Sequence, residues 1–256
     1  MDYFVTVVPS YQHFWQVELL IESFKMLKMQ DRLLVAIVGA PTSLPTNLHN
    51  HSRKIFCSDF NESSGLNYPP INKIACLRTA LHALDSNFTL LHTDMVMVGP
   101  VPNVKQNICF TPSPPPQKVV DMLQLPSDSI WVSFDGATIF NQVPTIFFDN
   151  VLEATKILID MYGTEWPASL AAWNSITHQH NLSILGAAIE SPLTQTSSAL
   201  LPFVHYKAGL PPYFSKHAYN PEFQIINPYN AFIDHNPNFC TNHVRNVILA
   251  YQKNTT

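Results

Sequence analysis

The order of apolar runs in the first 100 residues constrains the fold more than any other feature of the chain. Residues 3–9 (YFVTVVP) are apolar and β-branched, which suits a buried strand. Residues 11–29 set Phe14, Trp15, Leu19, Phe24 and Leu27 among polar positions with no Gly or Pro, the texture of an amphipathic helix. Residues 33–39 and 54–60 read as a second and a third strand. Residues 72–84 follow Pro69-Pro70 and place Ile74, Leu77, Leu81 and Leu84 on one side, so they read as a second helix. Residues 88–98 (FTLLHTDMVMV) read as one long fourth strand with polar residues in its middle. Strand, helix, strand, strand, helix, strand, with each strand nearly all apolar, predicts an α/β fold with a parallel sheet covered by helices. Ligands in such sheets sit at the carboxyl ends of the strands, so the residues just past each strand are the ones to inspect.

The second half is less regular. A short strand is expected at 107–111, a proline-rich loop at 112–116 and a helix at 117–125. Residues 131–143 (WVSFDGATIFNQV) read as a strand, a bend at Gly136 and another strand. Helices are expected at 150–162 and 165–180, and a last strand at 203–207 before a tail rich in Pro and aromatics. There is no internal repeat and no linker, so the 256 residues read as a single domain.

Composition removes several classes of function. The chain is 46% hydrophobic and only 12% charged, about half the usual charged share, which is the reverse of a disordered chain. The net charge is −4 and no basic run exists, so neither nucleic acid nor an anionic membrane surface is an expected partner. No apolar stretch reaches the roughly 18 residues of a membrane span. The amino-terminal MDYFVTVVP carries Asp2 and no basic segment, so it reads as a strand and not as a signal peptide. Cys57, Cys76, Cys109 and Cys240 form no CxxC pair and read as free thiols of a cytoplasmic protein. The seven glycines lie at least 23 residues apart, which excludes GxGxxG and the Walker phosphate loop. Neither GxSxG nor HExxH occurs.

The chemistry that is present centres on residues 90–98, LLHTDMVMV, where a carboxylate, Asp94, stands inside an apolar run. A buried carboxylate needs a cation or strong donors. With two preceding strand–helix units and a helix beginning Asn72-Lys73, this segment resembles the Asp-x-Asp strand of nucleotide-sugar glycosyltransferases with the GT-A fold. Laid on the chain, the second Asp of that motif falls on Asp94 and the first on His92, so the sequence departs from the family by reading His-Thr-Asp. Residues 133–141 (SFDGATIFN) resemble the family's strand pair near the reactive sugar, and residues 203–214 (FVHYKAGLPPYF) its carboxy-terminal His-Tyr-x-Gly region.

The resemblance implies a GT-A-like mixed, mainly parallel central sheet flanked by helices. Residues 1–100 would be a Rossmann-like nucleotide-sugar-binding half, and residues 101–256 an acceptor half with the tail. It implies a divalent cation, Mn²⁺ or Mg²⁺, held by Asp94 and His205 against a donor diphosphate. One carboxylate, one imidazole and phosphate oxygens suit Mn²⁺ better than Mg²⁺. Nucleotide-sugar contacts are expected from Thr6, Val7, Val8 and Tyr11 after the first strand. Lys73, Arg78, His92, Thr93, Gly136 and Lys207 complete that set. Asp135 or Glu165 is the expected carboxylate at the reacting carbon, although Thr164 as N-cap and Glu165 at a positive helix end also make complete structural sense. The implied partners are a nucleotide-diphosphate sugar and a glycan or glycoconjugate acceptor. Inversion and retention both stay open, with a lean to retention. A sugar nucleotidyltransferase and a catalytically inactive sugar-binding relic are the competing readings. Protonation of His205 predicts that metal affinity falls as pH drops through about 6.5.

Overall fold

The computed structural model describes residues 1–112, 116–124, 134, 136–192, 201–206 and 239–255. Four parallel strands form one side of a seven-stranded sheet: β1 (Asp2–Val7), β2 (Leu33–Val38), β3 (Lys54–Cys57) and β4 (Asn87–Leu91). β6 (Ile108–Phe110), β7 (Thr138–Asn141) and β8 (Ile184–Gly186) complete it in the order β3-β2-β1-β4-β7-β6-β8. Only β7 runs against the rest, so the sheet is mixed and mainly parallel, as expected.

Alternation along β1 divides the core. Tyr3, Val5 and Val7 face helix α1 (Tyr11–Met26), where they pack with Val17, Leu20, Ile21 and Phe24. Phe4 faces the other side, toward α4 (Ile71–Ala80), α6 (Thr145–Tyr162) and α7 (Glu165–Gln179). On that side Phe140 packs among the rings of Phe88, Phe134, Phe147, Phe148 and Trp173. Short helices α2 (Thr46–Asn50), α3 (Phe60–Ser64) and α5 (Gln117–Leu123) lie between the larger elements. The start of β1 is tied to the residue before the edge strand β3 by Arg53, whose two terminal nitrogens each donate to an Asp2 carboxylate oxygen at 2.9 Å.

Residues 88–98 are not one strand. β4 ends at Leu91, His92-Thr93-Asp94 turn away, and β5 (Met95–Met97) joins a second sheet with β9 (Glu190–Pro192) and β10 (Phe203–His205), in the order β5-β10-β9. One side-chain and one backbone hydrogen bond to partners outside the first sheet hold this break. Thr93 Oγ1 donates to Gln16 Oε1 at 2.7 Å, and the Tyr206 backbone N–H donates to the Asp94 carbonyl at 3.0 Å. Helix α8 (Phe239–Thr255) covers this sheet, packing Cys240, Val244, Val247 and Ile248 against Trp15, Val96, Val204 and Tyr206. All four cysteines are free and buried. Among the described residues no helix is long and apolar enough to cross a membrane.

Candidate active site

The second sheet brings the expected pair together. His205 is opposite Met95 across the antiparallel β10–β5 pair, so its imidazole reaches the residue just before that strand. His205 Nε2 lies 3.2 Å from Asp94 Oδ1 although 111 residues separate them. His205 Nδ1 lies 3.2 Å from Glu190 Oε1. Burial alone would lower the His205 pKa, but hydrogen bonds to Asp94 and then to Glu190 outweigh it and push the imidazole up to about 9. Without a metal ion the ring is therefore an imidazolium donating to two carboxylates at neutral pH. A cation that takes Nε2 must displace a proton, so the window for metal binding moves upward from the 6.5 expected for an isolated histidine. Mn²⁺ affinity of the nucleotide-free protein is expected to rise about tenfold per pH unit between pH 7 and 8.5. Titration calorimetry in buffers of different ionisation enthalpy reads the accompanying proton release; an affinity flat over this range contradicts the assignment.

His92 completes a group whose ligand atoms, with those of Asp94 and His205, all lie within 4.8 Å of one another. Burial, followed by the nearby charge of Lys73, holds the His92 imidazole well below its ordinary range. It is neutral, and Lys73 Nζ donates to its Nε2 at 2.6 Å and to the Phe134 carbonyl at 3.4 Å. Imidazole and carboxylate donors suit a divalent transition ion. Two atoms on one ion at about 2.1 Å lie at most about 4.2 Å apart, so the set closes with a movement under an ångström. Lys73 engages His92 Nε2, so Asp94 and His205 are the pair a cation reaches by displacing one proton.

A cavity of about 330 Å³ opens beside this turn at the carboxyl ends of β1 and β4. Thr6 and Val8, Lys73, His92 and Thr93, and Trp166 and Trp173 of α7 line it. Among the described residues the buried Thr6 hydroxyl has no hydrogen-bond partner, a group a polar ligand would satisfy.

Three expected contacts lie elsewhere. Val7 points to the opposite face of the sheet, as alternation requires of the residue between Thr6 and Val8, and packs in the α1 core. Arg78 sits on another side of α4 and pairs with Asp149 of α6. Gly136 borders Glu190, not the cavity. Glu165 is exposed at the start of α7, next to the cavity-lining Trp166, and Thr164 sits at the N-cap but makes no side-chain capping bond. Asp135, Lys207 and the Tyr11 side chain lie outside the described residues. Sequence reading passed over Gln16, which holds Thr93; His13 and Tyr68, which line the cavity; and Glu190, which holds His205. The i, i+2 relation of residues 203 and 205 on β10, with Glu190 opposite Phe203, places Glu190 beside His205; no motif announces it.

No protein-family profile matches the chain, and no curated protein matches it in sequence. Solved structures do match in shape. The galactosyltransferase LgtC in complex with donor and acceptor sugar analogs aligns with a TM-score of 0.52 at 9% identity, covering 91% of this chain and 94% of that one. An active-site mutant of LgtC aligns with a TM-score of 0.53 at 9% identity over the same shares, 91% and 94%. Mouse xyloside xylosyltransferase 1 aligns with a TM-score of 0.48 at 10% identity, covering 80% of this chain and 96% of that one. The chain has the GT-A fold, with a central sheet and flanking helices arranged as in LgtC.

Proposed function

We propose that this protein is a glycosyltransferase that moves a sugar from a nucleotide-diphosphate donor to a glycan or glycoconjugate, assisted by a divalent cation. The observation that carries this reading is the approach of Asp94 and His205 to 3.2 Å beside a cavity at the strand ends of a GT-A fold. Asp94 and His205 would hold the cation, and Mn²⁺ suits their donor set better than Mg²⁺. Such a cation supplies Lewis-acid neutralisation of the departing diphosphate. Thr6 and Val8 form the wall for base and ribose, and Thr93 is held in place for the donor by Gln16. Lys73 stands where its ammonium can leave His92 for a phosphate oxygen, a charged partner in place of a neutral one.

The remaining assignments follow the family resemblance. Lys207 meets the diphosphate, and Asp135 or Glu165 serves the reacting carbon, with retention favoured over inversion. Residues 1–100 carry the donor and the rest, to residue 256, the acceptor. Four free buried thiols favour a reducing compartment such as the cytoplasm. A second reading, a sugar-binding relic without catalysis, is favoured by one observation: an ammonium, Lys73, engages the residue that replaces the first acid of the motif.

A thermal-shift screen of nucleoside diphosphates and their sugars with Mn²⁺ tests the proposal. A donor at about 100 times its Kd adds about 2.7 kcal/mol. That corresponds to about 5–10 °C for a chain of this size. No shift with any nucleotide plus metal contradicts the proposal. Slow hydrolysis of the stabilising sugar nucleotide identifies the enzyme; stabilisation with no hydrolysis or transfer identifies the relic.

A further inference from the structure

We propose that Glu190 is a positioning residue that fixes the ring of His205 so that Nε2, not Nδ1, faces Asp94 and the cation. The inference rests on the metal reading above and concerns a residue outside the set expected from sequence. Glu190 opens β9, and its carboxylate reaches the ring of His205. Its Oε1 lies 3.2 Å from His205 Nδ1, and its Oε2 accepts the Ala137 backbone N–H at 2.8 Å. The carboxylate is thus held from behind by a rigid backbone donor and presents its other oxygen to the ring. An imidazole that donates Nδ1–H to a carboxylate keeps the lone pair of Nε2 for a metal, and the carboxylate raises the basicity of that nitrogen.

Gly136 is part of the same device. A Cβ at this position would stand 2.5 Å from both Glu190 oxygens, closer than any such contact tolerates. The glycine therefore leaves room for the carboxylate that orients His205. Strand register supplies the rest. Glu190 is opposite Phe203 in the parallel β9–β10 pair, and His205 is two residues further on the same strand, so both side chains lie on one face.

The test uses the full chain with Zn²⁺ as a diamagnetic probe, read by calorimetry and by long-range ¹H–¹⁵N NMR of the His205 ring. Wild-type protein is expected to show Nδ1 protonated and Nε2 metal-bound. Glu190→Ala is expected to weaken Zn²⁺ by about 10- to 100-fold and to mix the two ring tautomers. Glu190→Gln keeps the shape but offers one acceptor to two donors, the Ala137 N–H and Nδ1–H, so it is expected to leave the tautomers mixed and the Zn²⁺ affinity lowered. Gly136→Ala is expected to reproduce the Glu190→Ala loss, and to add nothing in the double variant, because both act on one carboxylate. Zn²⁺ bound by Glu190→Ala with wild-type affinity and one unchanged tautomer overturns the proposal, including when that variant is merely less stable. Wild-type protein that takes no ion overturns the metal reading itself, a different result from wild-type binding that Glu190→Ala leaves intact.

Discussion

Asp94→Ala is expected to abolish saturable Mn²⁺ binding and to lower sugar transfer by at least about 100-fold, with the fold intact. Asp94 is the one carboxylate in the group of His92, Asp94 and His205, and the only anionic ligand it offers. Without it, neutral imidazoles face a doubly charged ion alone, and one of them, His92, is already engaged by Lys73. Loss of one preorganised group that stabilises charge in a transition state costs about 10²–10³ in rate. The fold survives because Glu190 still accepts from His205 and the turn is held by its backbone, through Tyr206, and by Gln16. Asp94→Asn, of equal size, separates charge from shape: it is expected to keep the hydrogen bond to His205 and still lose the ion. Calorimetric titration of Mn²⁺ with and without a nucleoside diphosphate measures the effect. Wild-type affinity in Asp94→Ala contradicts the assignment.

Phe140→Ala is expected to be the most damaging single change to stability, by about 3–5 kcal/mol, while leaving the site chemistry in place. Phe140 is fully buried on β7, the one reversed strand, and its ring meets five aromatic neighbours. It stacks with Phe88 at 5.2 Å and lies edge-on to Phe148 at 5.4 Å between centroids. Removing it opens a void between the sheet and helices α6 and α7 that rigid rings cannot close. Chemical denaturation read by tryptophan fluorescence reports the change, because Trp173 is in the same cluster at 6.0 Å. A loss below about 1 kcal/mol would mean that this face of the sheet is loosely packed.

The half of the chain that builds the parallel strands was legible because its apolar runs are long and punctuated. Each run of five or six buried residues, such as Leu33–Val38, has one reading, and the helices between them carry a clear apolar side. Residues 88–98 misled because apolar sequence flanks the turn on both sides. Period and composition do not distinguish one strand of eleven residues from two strands that belong to different sheets. β8 and β9 are three residues each, too short to leave a pattern. Helix α6 begins at Thr145, five residues before the expected 150, because Pro144 takes the N-cap and TIFFD continues the apolar face. Helix α8 was missed although Cys240, Val244, Val247, Ile248 and Tyr251 recur at helical spacing, a signal hidden behind the proline-rich tail.

The site shows the same division. Asp94 was visible as an acid in an apolar run, and His205 came from a motif resemblance; their meeting depends on β5 and β10 pairing, which neither segment reveals alone. Glu190 and Gln16 act through single contacts to those residues, so nothing in their own neighbourhoods marks them. At the end of β1, alternation sends Thr6 and Val8 to the cavity and turns Val7 into the α1 core, a distinction that a strand end read as one unit does not make.

Crystals grown with Mn²⁺ and a nucleoside diphosphate, with diffraction recorded at the manganese absorption edge, test the central claim most directly. One anomalous peak is expected within about 2.2 Å of both an Asp94 carboxylate oxygen and His205 Nε2, with diphosphate oxygens on its open side. Nucleotide bound with no peak there, and the 3.2 Å hydrogen bond between Asp94 and His205 still in place, would contradict it.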